Sequence, residues 1–153
     1  YQIMNKRMID FYMTIAEDCA QMSRATRLQV GSVVVKNDNI LSFSWNGMPS
    51  GWDNTCENYY TMINDSGKRV IESQTKPEVL HAEMNALMKL TQSTESAKDA
   101  TLFVTHAPCI ECAKGIYQAG IKEVYYKNVY RSKDGLKFLE YSGIKPTCIG
   151  NNR

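Results

Sequence analysis

From residue 82 onward helix-like and strand-like stretches alternate, and this order limits the fold more than any other feature of the chain. Residues 82–92 carry a helical pattern, 101–105 (TLFVT) a β-rich apolar run, and 110–119 a second helix. Residues 122–126 (KEVYY) follow as a strand, 134–142 as a helix and 144–149 as a weak last strand. Strands joined by helices pair in parallel, so this half predicts the parallel part of an α/β sandwich. Ahead of it, residues 5–23 place apolar side chains at Ile9, Tyr12, Met13, Ile15, Ala16, Cys19 and Met22, the spacing of an amphipathic helix. VGSVVVK and NILSFSW, separated by the polar turn NDN, predict an antiparallel hairpin. The expected fold is therefore α/β, with a central mixed sheet of about five strands. Residues 46–79 are rich in Gly, Pro, Asn, Asp, Ser and Tyr and lack a sustained period. They read as an insertion at about 47–79 with a short helix around 57–64.

A chain of 153 residues, 43% apolar and 22% charged, predicts one domain over 1–153 with a single core. The net charge of +2 is spread over Lys6–Arg7, Arg24–Arg27, Lys68–Arg69 and Lys127–Arg131. No basic block forms, so a nucleic-acid partner is not expected. No signal sequence or membrane-length apolar run is visible, and the expectation is a cytoplasmic protein with no membrane partner. Five cysteines, two of them close together, point to metal or thiol chemistry in a reducing compartment rather than a disulfide framework.

Two short stretches carry the chemistry. In THAPCIECAKGI, residues 105–116, Cys109 and Cys112 stand three apart where a helix begins, behind Pro108. Both sulfurs can face one point there, and the helix N-terminus favours thiolates. Alone, C-x-x-C reads equally as a redox centre, half of a structural zinc site, or chance. In LHAEMNAL, residues 80–87, one of only two histidines in the chain opens a predicted helix. Two thiolates and the His81 imidazole make three ligands for tetrahedral Zn²⁺, with the fourth position left for water. Cys19, Cys56, Cys148 and His106 lack the paired spacing that a closed structural site requires. Glu83, in the first turn beyond His81, is within reach of that water and suits general acid/base work.

His-x-Glu followed by Pro-Cys-x-x-Cys, here HAE at 81–83 and PCIEC at 108–112, resembles the signature of the cytidine/deoxycytidylate zinc deaminase superfamily. QVGSVVVKNDNIL, WNGMPSGW, LFVTHAPCIECAKGIYQAGIKEVYY and FLEYSGI extend the likeness along nearly the whole chain, closest to the branch acting on dCMP. The resemblance implies a three-layer α/β/α sandwich and zinc-dependent hydrolysis of dCMP to dUMP and ammonia. Glu83 would be the catalytic proton carrier, and the Ala82 amide would hold the pyrimidine O2. Arg24, Arg27, Tyr130 and Arg131 resemble the basic and polar contacts to the 5′-phosphate. Asn46, Gly47 and Glu57 resemble part of an effector site where dCTP activates and dTTP inhibits, with Mg²⁺, in a homo-oligomer, a hexamer.

Three departures stand out. The effector motif, usually Gly-Tyr-Asn-Gly, is Ser44-Trp45-Asn46-Gly47 here, and the insertion holds Cys56 and no histidine, which predicts one zinc per subunit. His106 stands where leucine or phenylalanine is more usual, either as a base or phosphate neighbour or as an ordinary loop residue. The competing readings are a zinc deaminase for cytidine, guanine or tRNA adenosine, and a catalytically silent zinc-binding module. An intact Glu83 argues against the silent module.

Overall fold

The computed structural model describes residues 4–129 and 132–150. Helix α1, Lys6–Gln21, starts where the Asn5 side-chain oxygen accepts the Met8 amide at 2.9 Å. That bond satisfies one of the first-turn amides that a helix cannot satisfy itself. α1 buries Tyr12, Met13, Ala16, Cys19 and Ala20, one stripe at helical spacing. Strands β1, Gly31–Lys36, and β2, Asn39–Trp45, form the expected antiparallel hairpin. Its two turn residues, Asn37 and Asp38, have φ of 51° and 61°. Asn and Asp tolerate this left-handed region, and two such residues in sequence match the twist of the strands they join.

Helix α2 (Ala82–Thr91), strand β5 (Thr101–His106), helix α3 (Ile110–Gln118), strand β6 (Glu123–Asn128), helix α4 (Asp134–Tyr141) and strand β7 (Pro146–Cys148) follow in the order the patterning predicted once the insertion is passed. The main sheet runs β2-β1-β5-β6-β7, antiparallel across its first three strands and parallel from β5 to β7. It is the mixed five-stranded sheet expected from the sequence. Alternate residues of the central strands enter two cores. Val33, Val35 and Phe103 meet α1 through Tyr12, Met13 and Ala16. Val34, Leu102 and Val104 meet Ala86, Leu87 and Leu90 of α2, Ala113 and Ile116 of α3 and Leu139 of α4. Helices thus cover both faces, giving three layers, and β1 and β5 read as continuous apolar runs for that reason.

Gly31 lets α1 lie directly on β1, since a Cβ there would sit 2.0 Å from the Ala16 carbonyl oxygen. Phe103 is wholly buried, stacked on Tyr125 at 5.1 Å and tilted against Tyr12 at 5.4 Å.

The insertion differs from expectation. Residues 57–64 do not form a helix: β3, Glu57–Ile63, pairs antiparallel with β4, Arg69–Thr75, as a separate two-stranded sheet. Its turn is held by the Asn64 side-chain oxygen, which accepts the amides of Ser66 and Lys68, and by Gly67 at φ 81°. Tyr59, Tyr60, Thr61, Ile63, Val70 and Ile71 are residue types that favour strands over helices. The pattern is unreadable as alternation because both faces of the hairpin are largely exposed. Among the described residues, no helix is long and apolar enough to cross a membrane.

Candidate active site

Two helix beginnings meet at the end of the sheet where β5 finishes. His81 is the residue that precedes α2, and its side chain does not cap the helix. Cys109 does cap α3, its sulfur accepting the Cys112 amide at 3.5 Å. His81 Nδ1 lies 3.3 Å from Cys112 Sγ and 3.5 Å from Cys109 Sγ. All three ligand atoms fall within 4.8 Å of one another. A tetrahedral zinc with Zn–N of about 2.1 Å and Zn–S of about 2.3 Å separates N from S by about 3.5 Å. The donor set fits the ion in type and in spacing.

Buried bonds fix this arrangement. Ser32 Oγ on β1 donates to the Ala82 carbonyl at 2.7 Å, and Ser42 Oγ on β2 donates to the Ala86 carbonyl at 2.8 Å. They anchor the first turns of α2 to the sheet. The β5–α3 loop is tied to β6 where the Ala107 amide donates to the Asn128 carbonyl at 2.8 Å and Asn128 Nδ2 donates to the Thr105 carbonyl at 2.9 Å. Gly135 of α4 lies against the same loop, since a Cβ there would fall 2.1 Å from the Pro108 oxygen.

The ionisable groups are strongly coupled. Cys109 is held far below the usual thiol range by the Cys112 thiol that donates to it, and also by the His81 ring and the Cys112 amide. Cys112 keeps the shared proton and is shifted upward by Cys109, by burial and by Glu83. The bond to Cys109 raises His81. Burial pushes the Glu83 carboxyl up to about 7, against the opposing pull of its own amide and of His81.

His81, Ala82, Glu83 and Cys109 line one cavity of about 190 Å³ with Ala25, Leu28, Val30, Asn46, Thr75, Val79, His106 and Ala107. The wall is mostly apolar, with Asn46, Thr75, His81, Glu83, His106 and Cys109 as its polar side chains. Ala82 is the first residue of α2, where a helix amide has no partner within the helix. The site lies at the carboxyl end of β5, the usual ligand position in open α/β sheets.

Residues 6–128 match the family model described as "Cytidine and deoxycytidylate deaminase zinc-binding region". The chain belongs to this deaminase family. Over 135 residues it is 34% identical to ComE operon protein 2 of Bacillus subtilis strain 168, covering 88% of this chain and 67% of that protein. The deoxycytidylate deaminase of Enterobacteria phage T2 is 31% identical, with 87% of each chain covered. Among solved structures, the dCMP deaminase of cyanophage S-TIM5, determined with dCMP and dUMP, superposes with a TM-score of 0.84. Its identity is 42%, over 96% of this chain and 100% of that one.

The structure brings His81, Ala82, Glu83, Cys109 and Cys112 together, as the motifs predict. Asn46, expected at an effector site, borders the same cavity as Glu83. Its side chain bridges the Leu28 carbonyl and the Val30 amide, at 2.8 and 2.9 Å. Gly47 pairs through its backbone with Leu80, immediately before His81. Glu57 is buried, and one carboxylate oxygen accepts the amides of Thr26 and Arg27, at 2.9 and 3.2 Å. Arg24 and Arg27 are exposed and do not line the cavity, and the Arg27 guanidinium donates to the Ser73 carbonyl. Tyr130 and Arg131 lie outside the described residues. Sequence reasoning missed the cavity walls at Ala25, Leu28, Val30, Thr75 and Val79, which carry no motif, and the role of Gly135, whose only signal was a glycine in the first turn of a helix.

Proposed function

We propose that the chain hydrolyses dCMP to dUMP and ammonia, with one Zn²⁺ held by His81, Cys109 and Cys112 and with Glu83 moving the protons. The observation that carries this reading is the buried Glu83 carboxyl on the wall of one cavity with His81 and Cys109, which meet Cys112 in a three-ligand cluster. When bound, the ion supplies Lewis-acid activation of water at the position the three protein ligands leave open. Glu83 takes a proton from the attacking water, protonates N3 of the cytosine ring, and then delivers a proton to the departing amino group. Carbon C4 gains one oxygen and loses one nitrogen, so dCMP and water become dUMP and ammonia. The Ala82 amide, free at the first turn of α2, donates to the base O2. Ala25, Leu28, Val30 and Val79 keep bulk water from the ring. Relatives named for this activity at 31 and 42% identity support the substrate.

Phosphate binding by Arg24, Arg27, Tyr130 and Arg131 belongs to the same proposal. It draws on the bidentate geometry of arginine toward phosphate and on the position of Arg24 next to cavity-lining Ala25. Activation by dCTP with Mg²⁺, inhibition by dTTP, and assembly as a hexamer rest on the likeness of residues 45–57 to the family's effector segment. In this chain the backbone pairing of Gly47 with Leu80 supports such coupling, because a nucleotide bound at that segment would act on the turn that carries His81.

Ammonia release from zinc-loaded protein tests the reading when dCMP, deoxycytidine, dCTP and guanine are offered separately, each with and without dCTP or dTTP as effector. The expected result is turnover of dCMP alone, raised by dCTP and lowered by dTTP. Preference for deoxycytidine or guanine would refute the substrate, and dCMP turnover indifferent to both nucleotides would refute the regulation.

A further inference from the structure

His106 is the second of the two histidines in the chain, and the chemistry described above leaves it without a role. It ends β5 three residues before Cys109, is half-buried, lines the cavity, and among the described residues its ring has the neighbouring Thr105 as its one hydrogen-bond partner. That neighbour determines what His106 can offer. Thr105 is buried, and its hydroxyl oxygen accepts the Gly31 amide at 3.2 Å and lies 3.1 Å from His106 Nδ1. With one lone pair committed to Gly31, the hydroxyl still has a proton to place, and among the described residues His106 Nδ1 is its one acceptor. Were Nδ1 to donate instead, the threonine proton would be buried without a partner, at a cost of about 1–3 kcal/mol. The ring is therefore held with Nδ1 accepting and its own proton on Nε2. No buried side-chain nitrogen or oxygen lacks a partner among the described residues, so Nε2, which has none among them, is open to solvent on a ring that lines the cavity. Burial lowers the imidazole pKa, which keeps the ring neutral near pH 7.

Resting on the proposed deamination of dCMP, we propose that His106 positions the substrate by donating a hydrogen bond from Nε2 to an acceptor oxygen of the nucleotide. A neutral donor can hold a carbonyl, sugar or phosphate oxygen without competing for the proton that Glu83 moves. Thr105 and Gly31 make the donor rigid by linking it to the backbone of β1, so its direction does not depend on the mobile solvent around it.

Histidine-¹⁵N-labelled, zinc-loaded protein provides the first test, because only two rings contribute signals and His106→Leu identifies one of them. The expected spectrum near pH 7 shows His106 as the neutral Nε2–H form, and Thr105→Val removes that preference. The second test is calorimetric binding of dUMP and deoxyuridine, which needs no turnover. His106→Leu is expected to weaken dUMP binding roughly 5- to 20-fold and to raise KM for dCMP similarly. It should leave zinc content and kcat near their original values and lower Tm by a few degrees, because the buried Thr105 hydroxyl loses its acceptor, with His106→Gln, which retains a donor, recovering most of the loss in affinity. A loss on dUMP that spares deoxyuridine puts the acceptor on the phosphate, and a loss on both puts it on the base or sugar. Unchanged affinity in His106→Leu, or an Nδ1–H ring in the unaltered protein, overturns the inference while dCMP turnover still stands. Unaltered protein that neither binds dUMP nor turns over dCMP overturns the functional reading along with it.

Discussion

Gly135→Ala is expected to destabilise the protein and loosen the metal centre, although helix propensity alone predicts the reverse. Alanine in place of glycine inside a helix ordinarily stabilises by about 0.8–1.0 kcal/mol. Here the added Cβ would lie 2.1 Å from the Pro108 oxygen and 2.8 and 2.9 Å from the carbonyl carbon and oxygen of Cys109. Carbon and oxygen in close contact stand about 3.3 Å apart, so something must move by about 1 Å. All three obstructing atoms are backbone, and none can rotate away. Overpacking of this kind costs about 1–3 kcal/mol and occasionally more. Three clashes with backbone put the cost at the top of that range, about 3 kcal/mol, so after the helix gain the net expectation is destabilisation of about 2 kcal/mol, a fall in Tm of roughly 4–8 °C for a chain of this size. The displaced segment carries Cys109, so zinc affinity should fall as well. Thermal unfolding and a competitive zinc chelation assay read both effects, with exposed Lys137→Ala on the same helix as a control expected to stay within about 0.5 kcal/mol of the original. A Gly135→Ala protein as stable as the parent, with zinc held as tightly, would refute the argument that α4 is fitted against the Pro108–Cys109 backbone.

Glu83→Ala should retain zinc, read by metal analysis, while dCMP turnover falls by at least roughly 10²-fold, since the ligands are untouched and the proton carrier is gone. Asn46→Ala should raise KM for dCMP and lower Tm, because its amide both borders the cavity and bridges residues 28 and 30. For Glu57, burial pushes the carboxyl up, but the amides of Thr26 and Arg27 outweigh it and the folded-state pKa lies below the ordinary 4.5. A lowered carboxylate pKa stabilises the fold above the unfolded value and loses that contribution as pH falls through the folded one. Denaturant titrations should therefore find Glu57→Gln less stable than the parent at pH 7, with the gap closing below about pH 4.5.

The main sheet was legible because its strands and helices have core-facing sides, and a buried side imposes a period. Val33 and Val34 face opposite cores, yet the run around them still reads as a strand because it is β-branched and bounded by a turn. The β3–β4 hairpin has no such side. Tyr59, Ile63 and Ile71 are exposed, so neither a period of two nor one of 3.6 marks the strands, and the pairing is specified by the Asn64–Lys68 turn. His81, Glu83, Cys109 and Cys112 were legible as a candidate centre because ligand chemistry requires particular residue types at close spacing. The hydrogen bonds of Asn46 and Glu57 and the close approach of Gly135 were not, since they span 16 to 31 residues of chain. The Ser32 and Ser42 hydroxyls, which anchor α2, likewise gave no sign in a strand of ordinary composition.

Zinc occupancy set against turnover tests the central claim most directly. Protein stripped of metal and restored in steps should form dUMP and ammonia from dCMP in equal amounts, at a rate proportional to bound zinc and reaching its limit at one ion per chain. Undiminished turnover without zinc, or none with the site fully loaded, would contradict the assignment of His81, Glu83, Cys109 and Cys112 as a dCMP-deaminating centre.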